Sequence, residues 1–369
     1  MFLAELGAEV IKVEHFAGGG DVTRSWKLPK ESADDTRPAY FSAVNWGKKS
    51  IGVDLRLAAG KSIVHQLATK ADIVIASYKP GDAEKLAVDA KTLMALNPRL
   101  IYADLTAYGP NDNRVGFDAI IQAEAGFTYM NGAPESGATK MPVALMDLLA
   151  AHQLKEGVLL ALLSLMKTGK GQHVSTSLLG AGLSSLANQA TNWLVGGHIP
   201  QRIGSAHPNI VPYGTTYQTS DGKELVLAVG NDGQFRRLCK CLEIESHPEI
   251  GKFQTNVDRV KHRAAVDALL ASAIKTRERD ALLAALHAAN VPAGAVYDMA
   301  EACAQPQAQE LLLQGGGRKA FRSIALSGFE GQQLSPPPLL AADTKDILEG
   351  VLQLDEAAIE ELRLQKAIL

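Results

Sequence analysis

One carboxylate has surroundings that could give it unusual chemistry. Asp147 lies near the start of a long apolar stretch, residues 141–172, in which Pro142 suits a first helical turn and Gly169 suits a helix end. An ionised carboxylate is costly to bury among apolar side chains, whereas a helix N-terminus favours the charged form. Asp147 is therefore either a helix-start residue satisfied by backbone amides or a reactive carboxylate, and the residues alone leave both readings open.

The stretch that holds Asp147 is predicted to form one largely buried helix, because apolar residues occur on nearly every side of it. Its longest uninterrupted apolar run, 157–166, is too short to cross a bilayer, so no membrane association is expected. No charged segment followed by an apolar one opens the chain, so we expect no secretory signal and a cytoplasmic protein.

Two glycine-containing segments match nucleotide-binding motifs only in part. Glycines 18–20 follow a predicted strand, but the spacing G-x-G-x-x-G and the helix after it are missing. The segment G-K-K-S at 47–50 lacks the upstream glycine of a phosphate-binding loop. Neither segment predicts a nucleotide site.

Composition excludes several other kinds of site. The 369 residues carry a net charge of −3, and without a basic excess no nucleic-acid partner is expected. The 9 histidines show neither H-x-x-x-H nor H-E-x-x-H spacing, so no metal site is expected. Cys239, Cys241 and Cys303 are an odd number of cysteines, which fits free thiols in a reducing compartment.

Short apolar strands alternate with helices in the first half of the chain. Strands are predicted at 8–14, 71–76 and 100–105, with helices at 61–69 and 83–97. This order predicts an α/β fold, with a large Rossmann-like domain built on parallel strands. Ligands of such sheets bind at the carboxyl ends of the strands, here residues 77–79 and 106–109.

The sequence pattern changes near residue 206. Two strands joined by a Ser-Asp-Gly turn at 220–222, followed by helices at 232–242, 259–276 and 277–290, predict a smaller α+β domain. The predicted organisation is a large α/β domain at 1–187, a linker at 188–205, the small domain at 206–297, and a return to the large domain at 298–369.

A series of strings along nearly the whole chain resembles class III CoA-transferases of the CaiB/BaiF type. They include P-V-A-L-M-D-L-L-A-A around Asp147, V-I-K-V-E-x-x-x-G-G-G-D-x-T-R-x-W at 10–26, Y-K-P-G at 78–81, N-V-P-A-G-A-V-Y at 290–297 and P-P-P-L-L at 336–340. Within the family, residues 192–213 are most similar to the succinyl-CoA:glutarate type. The resemblance implies the family's fold and its interlocked homodimer.

The resemblance also implies an activity, the transfer of CoA between small mono- or dicarboxylic acids. Asp147 would be the nucleophile that opens an acyl-CoA thioester, passing through a mixed anhydride and an aspartyl-CoA thioester. Coenzyme A and acyl-CoA would be substrates, with no permanently bound cofactor and no metal.

Further site residues are carried over from the same resemblance. The residues expected to contact CoA or substrate are His15, Val53, Arg56, Ser77, Tyr78, Lys79, Lys85, Arg114 and Phe117. Asp118 would orient the acceptor or the lid, although a turn-capping role is equally open. The loop Gly204, Ser205, Ala206 and His207 would cover the aspartate and offer backbone amides to oxyanions, and His207 could contact a substrate carboxylate. Its alternative is an interdomain hinge, and each basic residue taken singly could be a solvated surface charge.

Two other functions remain open at this point. The α-methylacyl-CoA racemases of the family have His where this chain has Phe117 in G-F-D, and phenylalanine cannot take a proton, so a transferase is favoured. A catalytically impaired CoA-binding protein is the other reading, because the family's first strand and loop are expected to precede Met1 and are missing from this sequence.

Overall fold

The computed structural model describes residues 1–328 and 331–369, which separate into two compact units. The first unit comprises Met1–Val115, Ala150–Gly180 and Cys303–Leu369, and the second comprises Gly116–Leu149 and Ala181–Ala302. This grouping differs from the predicted domains mainly at 116–149, which the sequence analysis assigns to the large domain.

The described residues form ten strands. They are β1 Val10–Glu14, β2 Lys48–Gly52, β3 Ile73–Ala76, β4 Ile101–Thr106, β5 His173–Ser177, β6 Tyr213–Gln218, β7 Glu224–Ala228, β8 Ala293–Ala295, β9 Leu312–Gly315 and β10 Arg318–Phe321.

Eighteen α-helices occur in the same residues, with 3₁₀ turns at Phe16–Gly18, Val22–Ser25 and Pro248–Phe253. The helices are α1 Phe2–Glu5, α2 Ala39–Ser42, α3 Ala58–Lys70, α4 Asp82–Lys85, α5 Ala90–Leu96, α6 Asp118–Glu124, α7 Phe127–Met130, α8 Leu145–Thr168, α9 Leu178–Ser184, α10 Asn188–Leu194, α11 Asp232–Cys241, α12 Asn256–Lys261, α13 Arg263–Ile274, α14 Arg279–Ala288, α15 Met299–Ala304, α16 Pro306–Glu310, α17 Thr344–Gly350 and α18 Glu356–Leu364.

Parallel strands form the sheets that position the first unit's loops. β1 pairs with β2, and β3, β4 and β5 pair in that order, all in parallel register. α3 connects β2 to β3 and packs on both groups, through Ile63 against Ile51 and through Ala68 beside Ala76. The α/β fold predicted from the alternating strands and helices is confirmed.

Helix α8 connects β4 to β5 and buries one face on them. Leu154 and Val158 pack with Ala103, while Ala161 and Leu165 pack with Ile101. Gly157 allows this approach, since a Cβ there would lie 2.5 Å from Val174 Cγ1.

The prediction that this helix is largely buried is wrong for the single chain. The side of α8 turned away from the sheet is exposed, with Leu160 at 67%, Leu163 at 56% and Met166 at 82%. As a whole, α8 is long and apolar enough to cross a membrane, although its uninterrupted apolar run 157–166 is not. Core helices of globular proteins reach the same length and hydropathy.

The helix predicted at 83–97 is two helices, so that prediction is wrong. Ala87, between α4 and α5, has φ of +56°, a left-handed conformation that ends a helix. Asp89 then caps α5 by accepting a hydrogen bond from Thr92 N–H at 3.0 Å.

An antiparallel sheet organises the second unit, as the sequence predicts. β6 and β7 form a hairpin, and β8 pairs with the other edge of β7. Phe235 of α11, Leu270 of α13 and Leu286 of α14 share its core. The helix predicted at 259–276 is divided at His262 into α12 and α13.

Candidate active site

Asp147 is the third residue of α8, in its first turn. Its side chain is exposed, and among residues 1–328 and 331–369 it has no ion pair and accepts no hydrogen bond. The reading in which Asp147 satisfies the backbone amides of its own helix therefore does not describe this structure.

Asp118, the first residue of α6, caps α8 instead. Its Oδ1 accepts a hydrogen bond from Met146 N–H at 2.9 Å, immediately before Asp147 in the chain. Its Oδ2 accepts a second bond from Gln122 Nε2 at 2.8 Å. Both carboxylate oxygens of Asp118 are thus occupied within the protein, which favours the capping role over contact with an acceptor.

The surroundings of Asp147 raise its pKa above the ordinary aspartate value. Partial removal of water by neighbouring protein atoms is the larger cause, and the Asp118 carboxylate is the second. The side chain still has solvent-exposed surface, so the desolvation is incomplete.

Close packing fixes the start of α8 within the second unit. Met146 is fully buried, and a Cβ at Gly182 would lie 2.8 Å from its Sδ and 3.3 Å from Ala125 Cβ. The glycine therefore lets the chain at 182 approach α6 and the first turn of α8. This packing limits the positions that the backbone of Asp147 can adopt.

The loop 204–207 uses part of its backbone for its own anchoring. Gly204 N–H donates to Gly132 O at 2.9 Å, and His207 N–H donates to Tyr213 O at 2.8 Å. Across the described chain, the N–H groups of Ser205 and Ala206 make no backbone hydrogen bond. The predicted oxyanion donors are thereby reduced from four to these two.

The His207 ring also has a structural contact. Its Nδ1 accepts a hydrogen bond from Asn209 N–H at 3.1 Å, and the ring lies edge-on to Tyr213 at 5.4 Å between centroids. Gly214 lets the loop lie against β6, because with φ of +82° a Cβ there would be 2.0 Å from Ser205 O. No substrate contact of His207 follows from this geometry.

In the first unit, Arg56 and His15 follow the ends of two paired strands, β2 and β1. Arg56 binds the Asp54 carboxylate through Nε at 2.9 Å and Nη2 at 2.6 Å. The hydrogen bond from Arg56 is the main reason that the pKa of Asp54 falls to about 2. His15 Nδ1 lies 4.0 Å from the same carboxylate.

The residues expected after β3 lie where the sequence places them. Ser77 and Lys79 are exposed in the loop that follows β3, and Tyr78 is half-buried, which raises its pKa. Lys85 is exposed on α4 and forms an ion pair with Asp82 at 2.7 Å.

Arg114 repeats the arrangement seen at Arg56. It binds Asp112, two residues earlier, through Nε and Nη2, and its guanidinium stacks 3.9 Å from the Tyr108 ring centroid. The hydrogen bond from Arg114 is the main cause that lowers the pKa of Asp112. Arg114 is exposed and thus open to a phosphate, which would have to share it with Asp112.

Two further candidates differ in exposure. Val53 is 1% exposed and packs in the core with Ile51 and Ile63, so its side chain has no surface to offer a ligand. Phe117 is 69% exposed at the N-cap of α6, directly before Asp118.

The predicted residues fall into two sets. The second unit brings Asp118 next to Asp147, and the first unit holds the basic residues at its strand ends. Sequence reasoning missed Gln122, Asp54 and Asp112, although the spacings D-x-x-x-Q on a helix and D-x-R in a loop are signals for such pairs. No group of three metal-ligating side chains occurs among the described residues.

Comparison with known proteins identifies the family of this chain. The model of CoA-transferase family III matches residues 1–344. The succinate–glutarate CoA-transferase of Agrobacterium fabrum is 41% identical over 314 residues, covering 83% of this chain and 78% of that protein. The human succinyl-CoA:glutarate CoA-transferase is 33% identical, covering 98% of this chain and 84% of that protein.

A solved structure shows the same fold. A CaiB/BaiF family protein from Brucella suis superposes with a TM-score of 0.85 at 37% identity, covering 96% of this chain and 94% of that one. The family match, the sequence relatives and the fold thus agree over nearly the whole chain. The chain belongs to CoA-transferase family III and is an enzyme of that class.

Proposed function

We propose that this enzyme transfers CoA from succinyl-CoA to a small dicarboxylate such as glutarate, with Asp147 as the covalent nucleophile. The observation that carries the proposal is a carboxylate in the first turn of α8 that has no partner among the described residues and has a raised pKa. The relatives named for succinate and glutarate support the substrate class. Substrate CoA is the only cofactor that the proposal requires.

The first half of the reaction loads CoA onto the enzyme. An Asp147 oxygen attacks the thioester carbon of succinyl-CoA, and the carbon–sulfur bond breaks to give a succinyl-aspartyl anhydride and CoA thiolate. The thiolate then attacks the aspartyl carbonyl carbon, the anhydride bond breaks, and succinate leaves. The product is an aspartyl-CoA thioester.

The second half transfers CoA to the acceptor. An acceptor carboxylate oxygen attacks the aspartyl thioester carbon and releases CoA thiolate, which forms a second anhydride. The thiolate attacks the acceptor carbonyl of that anhydride and restores the Asp147 carboxylate. Ser205 and Ala206 are the loop residues with N–H groups free to donate to the oxyanions of these steps.

An unpaired carboxylate suits this chemistry better than a paired one. An arginine fork would lower the pKa of the acid and hold its lone pairs in hydrogen bonds, and both effects weaken a nucleophile. Asp147 has neither constraint, and the raised pKa indicates a more basic oxygen. The positive end of α8 then stabilises the carboxylate when it is released.

A trapping experiment tests the nucleophile. The protein is incubated with succinyl-CoA and hydroxylamine, which converts an aspartyl anhydride or thioester into a stable hydroxamate. Trypsin then releases peptide 141–155, in which Asp147 is the single acidic side chain. Mass spectrometry should find the hydroxamate on that peptide, and Asp147→Asn should abolish both the adduct and transfer to glutarate.

Glu156→Gln is the matched control, because Glu156 is an exposed carboxylate on the same helix. It should keep both adduct and turnover. Transfer at the wild-type rate by Asp147→Asn, or an adduct at another residue, would contradict the proposal.

The assembly is part of the same proposal, as an interlocked homodimer in the cytoplasm. Its support is the amount of apolar surface that a single chain leaves exposed, at Leu160, Leu163 and Met166 of α8 and at Leu194 and Val195. Size-exclusion chromatography with light scattering should give twice the chain mass. A monomer at micromolar concentration would contradict it.

A further inference from the structure

We propose that Gln122 is a positioning residue that fixes the Asp118 carboxylate and the segment before α8, and so sets the place of Asp147. The inference rests on the proposed function, because it assigns a purpose to the position of the nucleophile. It adds a residue that contacts neither the reacting atoms nor substrate.

Gln122 is a polar side chain at a fully buried position. It lies on α6 with 0% exposure, one turn after Asp118. Its Oε1 accepts a hydrogen bond from Met141 N–H at 2.8 Å. Its Nε2 faces Asp118 Oδ2 at 2.8 Å and the carbonyl oxygens of Met141 and Val143, each at 3.3 Å.

The contacts determine which end of the amide faces which group. Met141 N–H can only donate, so the atom beside it must be the amide oxygen. The nitrogen then faces three oxygens and uses both of its hydrogens. The buried amide is fully satisfied, so losing it would leave one donor and three acceptors without this partner.

The network connects the two segments that define the site of Asp147. Through Met141 and Val143, Gln122 holds the chain two to four residues before α8 begins. Through Asp118 it holds the carboxylate that caps Met146 N–H and raises the pKa of Asp147. One side chain therefore controls both the direction of the first turn and the nearest negative charge.

Such control affects the chemical step more than substrate binding. Each half-reaction requires a nucleophile and a carbonyl in an orientation that a displacement of about 1 Å would disturb, at a cost on the order of 100-fold in rate. Gln122 is buried in the second unit, so CoA affinity does not depend on its side chain touching the ligand.

Gln122→Met tests the inference, because methionine keeps the length of the side chain and removes its hydrogen bonds. We expect kcat to fall at least about 10-fold with KM for succinyl-CoA changed less than about twofold, and the rate of adduct formation on peptide 141–155 to fall with kcat. Wild-type kcat in this variant would overturn the inference.

Gln122→Glu supplies a signature that a structural role would not produce. Above its pKa the new carboxylate has no proton to donate, and it faces Asp118 together with the carbonyls of Met141 and Val143. Protonated, it donates one hydrogen and still accepts from Met141 N–H. The loss of kcat relative to wild type should therefore increase as the pH rises. The increase should occur above the pH range in which an exposed glutamate titrates, because burial raises a glutamate pKa.

A destabilised control separates positioning from general loss of stability. Leu270→Ala removes a fully buried side chain of the second unit's core and should lower Tm at least as much as Gln122→Met. If it also lowers kcat to the same extent at a temperature where both variants are folded, the inference is wrong. Failure of the proposed function is a separate result, since it requires that Asp147→Asn stays active.

Discussion

Aspartates at the strand ends of the first unit and the aspartate at the start of α8 have opposite environments. Asp54 and Asp112 each hold an arginine two residues later, and the hydrogen bonds from these arginines lower their pKa values, that of Asp54 to about 2. Among the described residues, Asp147 forms no ion pair with a cationic side chain. Partial desolvation and the neighbouring Asp118 carboxylate raise its pKa. The same residue type is thus paired with arginine in one unit and, within the described chain, left without a charged partner in the other.

The contrast shows how pairing with a cation, or its absence, changes the properties of a carboxylate. An Asp–Arg fork satisfies both partners and stabilises the folded chain, but it consumes the lone pairs that a nucleophile needs. A carboxylate left without a partner costs stability and keeps its reactivity, which is the usual exchange at active sites. The following predictions test this contrast.

The largest effect is expected from moving the unpaired carboxylate without removing it. Asp147→Glu keeps the charge and displaces the oxygens by one methylene, so kcat should fall by about 100-fold or more because the attack geometry is lost. Steady-state kinetics with succinyl-CoA and glutarate measure this. Glu156→Asp, which changes a side chain of the same helix by one methylene, should leave kcat unchanged. Near-wild-type turnover in Asp147→Glu would show that the exact placement of the carboxylate oxygens does not limit the rate.

A smaller effect is expected from removing the like charge beside Asp147. In the proposed mechanism ionised Asp147 is the nucleophile, so activity should be lost as pH falls through its pKa. The raised pKa should place this acid limb above the ordinary aspartate value. Asp118→Asn keeps an acceptor for Met146 N–H and removes the charge, so the acid limb of kcat/KM should move to lower pH. An unmoved limb would show that Asp118 does not act on the nucleophile.

The paired arginines should affect binding and not chemistry. If these arginines bind CoA as the family resemblance implies, Arg56→Gln and Arg114→Gln should each raise KM for succinyl-CoA by about 3–10-fold with kcat unchanged, since each variant would remove one charge-assisted contact to phosphate. The same variants should show no change with succinyl-pantetheine, which has no nucleotide phosphates. Arg99→Gln, an exposed arginine of the same unit, is the control. A defect of equal size with both thioesters would argue against phosphate contacts.

The smallest effect concerns stability, with opposite signs in the two regions. The lowered pKa of Asp54 stabilises the fold above about pH 4 and the contribution disappears as pH falls through about 2, so Asp54→Asn should lower Tm at pH 7. The raised pKa of Asp147 is a penalty at pH 7 that is absent once the group is protonated. Asp147→Asn should therefore raise Tm by about 1–2 °C at pH 7, with no gain near pH 3. A lowered Tm would contradict the sign.

Much of the fold follows from local patterns. The strand before His15, the strand before Ser77 and the hairpin around Asp221 were predicted because apolar alternation and turn residues act over a few positions. The break at Ala87, which divides the predicted helix 83–97 in two, was not predicted, because an alanine in the left-handed conformation carries no sequence signal. The burial of α8 was also predicted wrongly. Apolar side chains on all sides of a helix do not reveal which of those sides pack against other parts of the same chain.

The candidate site also depends partly on local patterns and partly on packing. Asp147 was predicted as the nucleophile through a resemblance along nearly the whole chain, and the ion pair of Arg56 with Asp54 could have been predicted from its spacing. Val53 was named as a contact residue, yet it is buried, because the chain around the end of β2 lies in the core and Val53 packs there with Ile51 and Ile63. Gln122 was missed because its partners at 118, 141 and 143 come together only when α6 packs beside the start of α8.

Local sequence patterns were enough to predict most of the strands and the α/β fold, and the Asp-x-Arg spacing is a signal for the paired aspartates, because each depends on residues close together in the chain. The state of Asp147 depends instead on tertiary packing. Its neighbouring charge, Asp118, caps a residue 28 positions later in the chain, and the missing cation is a property of packing. Desolvation and charge repulsion act through space, so no local pattern can specify them.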